Sequence, residues 1–297
     1  MRVKYNLKTK VTFQVTGPED RGAACMLHNS MYDFANINAV DLHIAVDKGR
    51  LKDVTDAVKN LGLAGFYLGM PHKSDVIEFL DEVDPVSRDF NCVNTVINRD
   101  GKLYGIGLDG IGMGMALEDE LDSLKGKRVL IIGAGAVGGL IAADLCERGA
   151  TAISVANRTE EKAETVAKII SKYYDVDISY GPLSKEYLDG RAAECDLLVQ
   201  CSTIGNASHP GESFDYLGYI EKLPAGSFAA DVNYPDTEVL RKAGAAGLKT
   251  LAGESMMYYQ QIAAVKEMFG KELSKDCFSE GREAVAIAIA LRQFYDC

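Results

Sequence analysis

The feature that most constrains the fold of this chain is a glycine-rich turn that directly follows an apolar run. Val129–Ile132 shows little polar alternation, which is typical of a strand buried on both faces, and the ten residues from position 136 have helical spacing. Between them, a Gly-x-Gly-x-x-Gly pattern lets backbone N–H groups and the positive end of a helix dipole approach a pyrophosphate. An ordinary strand-to-helix turn without a ligand is the alternative. We predict a dinucleotide site whose contacts come from Gly133, Gly135, Ala136, Val137 and Gly138.

Charge and composition limit the partners of the protein. Its 297 residues include 32 Lys and Arg against 43 Asp and Glu, and the resulting formal charge of −11 disfavours binding to nucleic acid or to an anionic membrane. No apolar run has the length of a membrane span, and the N-terminal residues lack the apolar core of a signal peptide. We therefore expect a cytoplasmic protein that binds a small-molecule substrate and is a monomer or a homodimer.

Cysteine and histidine spacing argues against a metal centre. The seven cysteines form no Cys-x-x-Cys pair, and the four histidines have no metal-ligand spacing. We expect buried, reduced thiols and a mechanism without a metal.

The order of apolar segments predicts an α/β fold with two domains. Strand-like segments at 11–15, 42–46, 65–68 and 93–97 are interleaved with helix-like segments at 23–34 and 51–61, which predicts an open, mostly parallel sheet. From residue 127 the alternation resumes as a doubly wound, Rossmann-like domain. We predict a substrate and catalytic domain over residues 1–108 that is completed by C-terminal helices at 254–297, and a dinucleotide domain over residues 109–253. Glycine-rich residues 105–115 are interpreted as a hinge, followed by a helix over 115–124.

The residues after the second strand of the dinucleotide domain select the cofactor. An acidic side chain there would bind the 2′-hydroxyl of NAD, whereas this chain has Asn157, Arg158 and Thr159. A guanidinium can pair with a 2′-phosphate, so we predict NADP, with NAD also open. The alternative is that Arg158 only caps a surface loop.

Three polar residues of the first domain fall on connections that a parallel sheet directs toward its ligand crevice. Lys73 follows a Pro-His pair, Asn94 lies within Cys-Val-Asn-Thr-Val, and Asp109 lies in the glycine-rich segment. A ketone that is reduced by hydride develops an alkoxide, which an ammonium group can stabilise and protonate. In this interpretation Lys73 and Asp109 serve proton transfer.

These motifs, with their order and spacing, resemble the shikimate dehydrogenase family. The resemblance spans about 190 residues and rests on Pro71-His-Lys73, Val93-Asn-Thr-Val96, Asp109-Gly-Ile-Gly112, Gly133-Ala-Gly135, Asn157-Arg-Thr159, Cys201-Ser-Thr-Ile-Gly205 and Gln260. It implies an NADP-dependent oxidoreductase with Lys73 and Asp109 as the catalytic pair. It further implies substrate contacts from Asn94, Gln260 and Tyr234, and cofactor contacts that include Ser202, Thr203 and Gly253.

The chain departs from the family pattern in the substrate pocket. Gly22 and Ala24 stand where the family has two serines, Gly69 stands where it has a threonine, and residues 107–108 replace an Asn-Thr pair. Losing a hydrogen bond to a charged group costs about 1.5–3 kcal/mol, unless Arg21 compensates. We expect these smaller positions to line the pocket of an enzyme that acts on shikimate or on a different cyclic alcohol or ketone, such as a larger or less polar one.

Two other functions fit parts of the pattern. A nucleotide-sensing protein that has lost its substrate would keep the glycine turn, but it would not need both Lys73 and Asp109. A methylene-tetrahydrofolate-type dehydrogenase also has a lysine-bearing domain before a dinucleotide domain, but the Asn-Thr, Asp-Gly and Gln260 matches favour the first interpretation.

Overall fold

The computed structural model describes residues 5–18, 24–204 and 213–295, and these residues form two six-stranded sheets with flanking helices. The strands are β1 (Lys10–Thr16), β2 (Ala39–Ala45), β3 (Gly65–Leu68), β4 (Glu82–Val83), β5 (Thr95–Arg99), β6 (Lys102–Ile106), β7 (Arg128–Ile132), β8 (Ala152–Asn157), β9 (Asp177–Pro182), β10 (Leu197–Gln200), β11 (Phe228–Asp231) and β12 (Lys249–Ala252). The helices are α1 (Ala24–Phe34), α2 (Leu51–Asn60), α3 (Pro85–Asp89), α4 (Asp109–Leu121), α5 (Ala136–Glu147), α6 (Glu160–Tyr173), α7 (Lys185–Ala192), α8 (Glu238–Ala245), α9 (Gly253–Phe269) and α10 (Phe278–Tyr295). None of the described helices combines the length and apolarity needed to cross a bilayer.

The chain forms two compact units. The first unit contains Met1–Leu108 and Gln260–Cys297, and the second contains Asp109–Tyr259. The second boundary therefore lies inside α9, whereas the sequence pattern placed it at residue 253, just where this helix begins.

The first unit contains a mixed sheet with the strand order β2-β1-β3-β5-β6-β4. Strand β1 is parallel to both β2 and β3, and the β5–β6 hairpin is antiparallel to β3 and within itself. Helix α2 packs on this sheet through Leu51, Val54 and Val58, whose i, i+3, i+7 spacing places them on one face. Because β3 and β5 are central neighbours, the segments that follow β3 and precede β5 lie at the same edge of the sheet.

The second unit contains a fully parallel sheet with the order β12-β11-β10-β7-β8-β9. The order reverses between β7 and β10, so this pair forms the topological switch point at which open α/β sheets bind ligands. Helices α7 and α8 begin at Ser184 and Thr237, whose side chains accept hydrogen bonds from the first-turn N–H groups. The predicted α/β class and the doubly wound dinucleotide fold are confirmed.

The glycine-rich segment is not a hinge. Residues 109–121 form helix α4, which packs against α5, so the helix starts six residues earlier than predicted. A Cβ atom on Gly110 would lie 2.2 Å from the backbone oxygen of Leu140, and one on Gly114 would lie 1.7 Å from Oδ2 of Asp144. Close helix packing therefore requires these glycines, and Arg148 of the following loop adds hydrogen bonds to Asp144 and Glu118 across the contact.

This packing predicts the effect of adding a methyl group to α4. We expect Gly110→Ala to lower the free energy of unfolding by about 1–3 kcal/mol, since the new Cβ meets backbone that cannot move away cheaply. Gly190→Ala in α7 is the matched control, because a Cβ at that position would have no atom within 4 Å and alanine favours a helix by up to about 1 kcal/mol. Urea denaturation measures both changes. Stabilisation by Gly110→Ala would contradict the packing role and would fit a flexible hinge instead.

Candidate functional site

The glycine turn between β7 and α5 has the backbone geometry of a ligand cradle. Gly133 has a φ of +106°, which disfavours any other residue, and a Cβ on Gly138 would lie 2.3 Å from the Gly133 oxygen. In contrast, no atom lies within 4 Å of a Cβ built on Gly135, which is the N-cap residue of α5. Ala136 and Val137 form the first turn of that helix. The turn thus presents backbone and a helix N-terminus toward open space, an arrangement that suits a pyrophosphate.

A cavity of about 260 Å³ lies over this turn. Its lining comprises the glycine turn, the segment after β8 and the segment after β10, namely Gly133, Ala134, Gly135, Asn157, Arg158, Thr159, Lys162, Leu183, Cys201, Ser202, Thr203 and Ile204. Seven of the residues predicted to bind the cofactor are therefore brought together, while Ala136, Val137, Gly138 and Gly253 are not part of the lining. Lys162, one turn into α6, was missed because helix lysines are common and the pattern does not show where they point.

A second cavity, of about 320 Å³, shares Arg158, Leu183 and Ile204 with the first. The rest of its described lining is largely apolar and aromatic and includes Ile132, Leu188, Phe214, Tyr216 and Tyr219. The second unit thus offers a polar cradle next to an apolar pocket, which matches the two halves of an adenosine phosphate.

Asn157 has a different role from the ribose contact that its position suggested. Its Oδ1 accepts a hydrogen bond from the N–H of Ala134 at 3.1 Å, and its Nδ2 donates to the oxygen of Thr159 at 2.9 Å. The side chain therefore joins the glycine turn to the segment after β8. Arg158 and Thr159, both exposed, are the residues of this segment whose side chains face the cavity.

The segment after β10 is held by two buried amides. Gln200 accepts from the N–H of Ser202 at 2.6 Å and donates to the oxygen of Ile204 at 3.1 Å. From the end of β11, Asn233 donates to the oxygen of Ser202 at 3.0 Å. These residues were missed from the sequence, where the only signal is a polar side chain at the last position of an apolar strand.

Asp231 anchors Asn233 from the interior. Its side chain, fully buried, accepts hydrogen bonds from the backbone and side-chain N–H groups of Asn233 and from the hydroxyl of Thr237. Burial raises the pKa of Asp231 to about 6, although these three donors oppose the shift. Burial also raises the pKa of the Cys201 thiol in the cavity wall, so this cysteine is a poor nucleophile.

Asn94 has an unusual environment in the first unit. Its Oδ1 accepts from the N–H of Leu108 at 3.0 Å and from the hydroxyl of Thr95 at 3.2 Å. Its Nδ2 is buried without a hydrogen-bond partner. A buried amide donor that lacks a partner is costly, so its persistence points to a ligand oxygen that completes the set.

Lys73 lies beside Asn94 in the same unit. It follows β3 and is half-buried, and its backbone oxygen accepts from the N–H of Val93 at 2.8 Å. This bond ties the lysine-bearing turn to the residue that precedes Asn94. Asp109 directly follows Leu108 in the chain and is the first residue of α4, where it is 3 % exposed.

The other residues predicted to contact substrate have varied surroundings. Gly22 lies outside the described residues, Ala24 is the half-buried first residue of α1, and Gly69 donates its N–H to the oxygen of Val15. Gln260 is half-buried in α9, and Tyr234 is 52 % exposed in the second unit. Gly253 has a packing function, because a Cβ there would lie 2.0 Å from the oxygen of Val232.

Comparison with known proteins identifies the family of this chain. The family model for the substrate-binding domain of shikimate dehydrogenase matches residues 21–96, and the model for shikimate / quinate 5-dehydrogenase matches residues 116–213. A shikimate dehydrogenase (NADP(+)) of Alkaliphilus metalliredigens is 32 % identical over 92 % of this chain and 96 % of its own length. The chain belongs to the shikimate dehydrogenase family.

Two solved structures of similar proteins have the same architecture. Shikimate 5-dehydrogenase from Listeria monocytogenes, in complex with shikimate and NAD, aligns with a TM-score of 0.86 and 26 % identity over 94 % of this chain and 98 % of its own. The ligand-free 5-ketofructose reductase of Gluconobacter sp. aligns with a TM-score of 0.82 and 27 % identity over 94 % of this chain and all of its own. Family membership supports the shikimate dehydrogenase interpretation over a folate-type dehydrogenase. Among the described residues, no group of three or more His, Cys, Asp or Glu side chains is arranged to hold a metal ion.

The raised pKa of Asp231 predicts a pH dependence of stability. Its folded value of about 6 lies above its ordinary value of 3.8, so the folded state holds a proton that the unfolded state has released between these pH values. Stability from this group is therefore present below pH 4 and is lost as the pH rises through 6, by about 3 kcal/mol.

Asp231→Asn removes this titration. We expect its free energy of unfolding, measured by urea denaturation from pH 4 to 7, to fall less steeply than that of the wild type. The absolute stability of the variant is lower because one amide oxygen cannot accept all three donors. Identical slopes for the two proteins would contradict the assignment.

Proposed function

We propose that this protein is an NADP-dependent oxidoreductase that interconverts a secondary alcohol and a ketone, as its shikimate dehydrogenase relatives are named to do. The observation that carries the proposal is the buried Nδ2 of Asn94, which lacks a partner within a unit that also holds Lys73. An alcohol or ketone oxygen beside this donor would complete its hydrogen bonding.

The cavities of the second unit fit the two ends of the cofactor. The pyrophosphate would lie against the backbone at Gly135, and the adenine base would lie in the apolar pocket lined by Leu188 and Tyr219. The 2′-phosphate would pair with Arg158 and Lys162, both on the wall of the polar cavity. When bound, the nicotinamide supplies or accepts the hydride.

The side chains of the protein would supply the proton and the orientation. Lys73 would donate a proton to the developing alkoxide in reduction and would accept it in oxidation, while its positive charge stabilises the intermediate oxygen charge. Asp109 would orient the ammonium group and favour its charged form. Asn94 and Gln260 would position the substrate by donating to its oxygens.

The substrate is proposed to be shikimate, quinate or a related cyclic compound. Ala24 and Gly69 have no hydroxyl to offer a substrate, and the Leu108 side chain is fully buried in the core. A 5-ketofructose reductase shares this fold, so the architecture serves polyhydroxylated ketones other than shikimate. We therefore expect shikimate to be a poorer substrate than another polyol or hydroxy acid.

Removing the ammonium group tests the enzymatic proposal. We expect Lys73→Met to lower kcat by about 10²–10⁴-fold, because general acid–base catalysis typically contributes this much. NADP binding, measured by calorimetry, is expected to remain unchanged, since the lysine and the cofactor cavity belong to different units. Lys102→Met, at an exposed position of β6, is the matched control with unchanged activity.

The same assay contains the contrary outcome. Turnover is followed by the absorbance of reduced nicotinamide with a panel of cyclic polyols and hydroxy acids, including shikimate and quinate, with NADP and NAD. A wild-type protein that binds NADP and oxidises none of them would instead be a nucleotide-binding protein without this activity. Efficient use of shikimate would remove the proposed shift in substrate.

Charge at the end of β8 predicts the cofactor preference. We expect Arg158→Ala to raise the KM for NADP about tenfold or more and to leave the KM for NAD unchanged, because a charge-assisted hydrogen bond to the phosphate is lost. Lys162→Ala should have the same direction of effect. Lys168→Ala is the control, since this lysine of the same helix pairs with Glu164 outside the cavity. Equal changes in the KM for NADP and NAD would contradict a role in binding the 2′-phosphate.

A further inference from the structure

A buried polar chain lies in the first unit next to the proposed substrate residue Gln260. His28 of α1 is fully buried, and its Nδ1 lies 2.7 Å from Oδ2 of Asp41 on β2. Its Nε2 lies 2.5 Å from Oε1 of Gln261 on α9. Three elements that are distant in sequence are thus joined through one imidazole ring.

The far side of Asp41 is also satisfied. Oδ1 of Asp41 accepts from the hydroxyl of Thr12 at 2.7 Å, and this hydroxyl is 3.1 Å from that of Tyr32. Asn29 holds the backbone of Asp41 through its N–H and its oxygen. Because both carboxylate oxygens have donors, Asp41 is a fixed acceptor, and the orientation of the His28 ring follows from it.

The ring orientation determines the orientation of the Gln261 amide. With Oε1 directed at His28, the NH₂ group of Gln261 points the other way and donates to Oε1 of Gln260 at 3.5 Å. The carbonyl end of Gln260 is then turned toward its neighbour, and its NH₂ group is the end that donates to a substrate oxygen.

We infer that Gln261 is a positioning residue, held by the buried His28–Asp41 pair, that sets the amide orientation of Gln260 for the substrate. The inference rests on the proposed function, in which Gln260 contacts the alcohol or ketone. No reaction step passes through Gln261, so its effect falls on substrate binding.

Two substitutions separate orientation from simple packing. Gln261→Glu keeps an oxygen acceptor for His28 but replaces the donor to Gln260 with a second oxygen, which repels Oε1 and favours the opposite amide orientation. Gln261→Leu removes both bonds at similar volume. Thr12→Val is the matched control, because it removes a hydrogen bond of the same chain on the side of Asp41 remote from Gln261.

Steady-state kinetics provide the first readout, with the best substrate of the wild-type enzyme. Both Gln261 variants are expected to raise the KM for the alcohol by about tenfold, with kcat and the KM for NADP changed by less than about threefold. Thr12→Val is expected to lower the melting temperature and to leave this KM within about twofold. In the Gln260→Ala background, Gln261→Glu is expected to change the KM by less than about twofold, since the two residues act as one unit.

Two kinetic results would overturn the inference. One is a KM in Gln261→Glu that stays near the wild-type value. The other is full additivity of the Gln260→Ala and Gln261→Glu effects.

Nuclear magnetic resonance supplies a readout that needs no substrate. The side-chain amide signals of Gln260, assigned by their loss in Gln260→Ala, are expected to shift in both Gln261 variants and to stay in place in Thr12→Val. Unshifted signals would overturn the inference even if the enzyme turns over an alcohol. Absence of any turnover would instead contradict the proposed function, while the shifts would still establish the contact between the two glutamines.

Discussion

Buried side-chain amides at the ends of strands hold the loops on which ligand binding in this protein depends. Asn157, Gln200 and Asn233 each bond backbone groups of a segment that lines the cofactor cavity. An amide has both a donor and an acceptor, so it can satisfy loop N–H and C=O groups without bringing a charge into the interior. Asp231 shows what a charge costs there, because burial raises its pKa despite three hydrogen bonds. Substitution at these strand ends should therefore alter the cofactor cavity before it alters the sheet.

The first unit uses the same type of bond for a different purpose. Asn94 binds the backbone of Leu108 with its oxygen and keeps its Nδ2 without a partner, so half of the amide is structural and half is available to a ligand. The bond between His28 and Gln261 joins residues 233 positions apart and attaches α9 to the core around β1 and β2. The orientation of a proposed substrate contact near the C-terminus is thereby coupled to residues near the N-terminus.

Local patterns predicted those parts of the fold that local chemistry determines. The apolar run before Gly133 and the glycine spacing predicted a strand, a turn and a helix, and the structure has all three. The glycines at 110 and 114 were misinterpreted as a hinge, because glycine occurs both in flexible segments and where helices pack closely. Only the position of α5 distinguishes the two cases. Gln200 and Asp231 were overlooked for a similar reason, since a polar residue after an apolar strand is also typical of the start of a loop.

The sequence by itself determined the α/β class, the dinucleotide turn, the family and the residue types available for proton transfer and phosphate binding, because these follow from composition and from spacing along the chain. Tertiary structure alone decided which polar groups are satisfied. Asn157 and Asn94 are the same residue type at the edge of a sheet, yet one has both ends of its amide bonded to loops while the other keeps a buried donor for a ligand. The physical reason is that hydrogen-bond satisfaction depends on neighbours that are remote in sequence, and only the folded chain brings them within about 3 Å of one another.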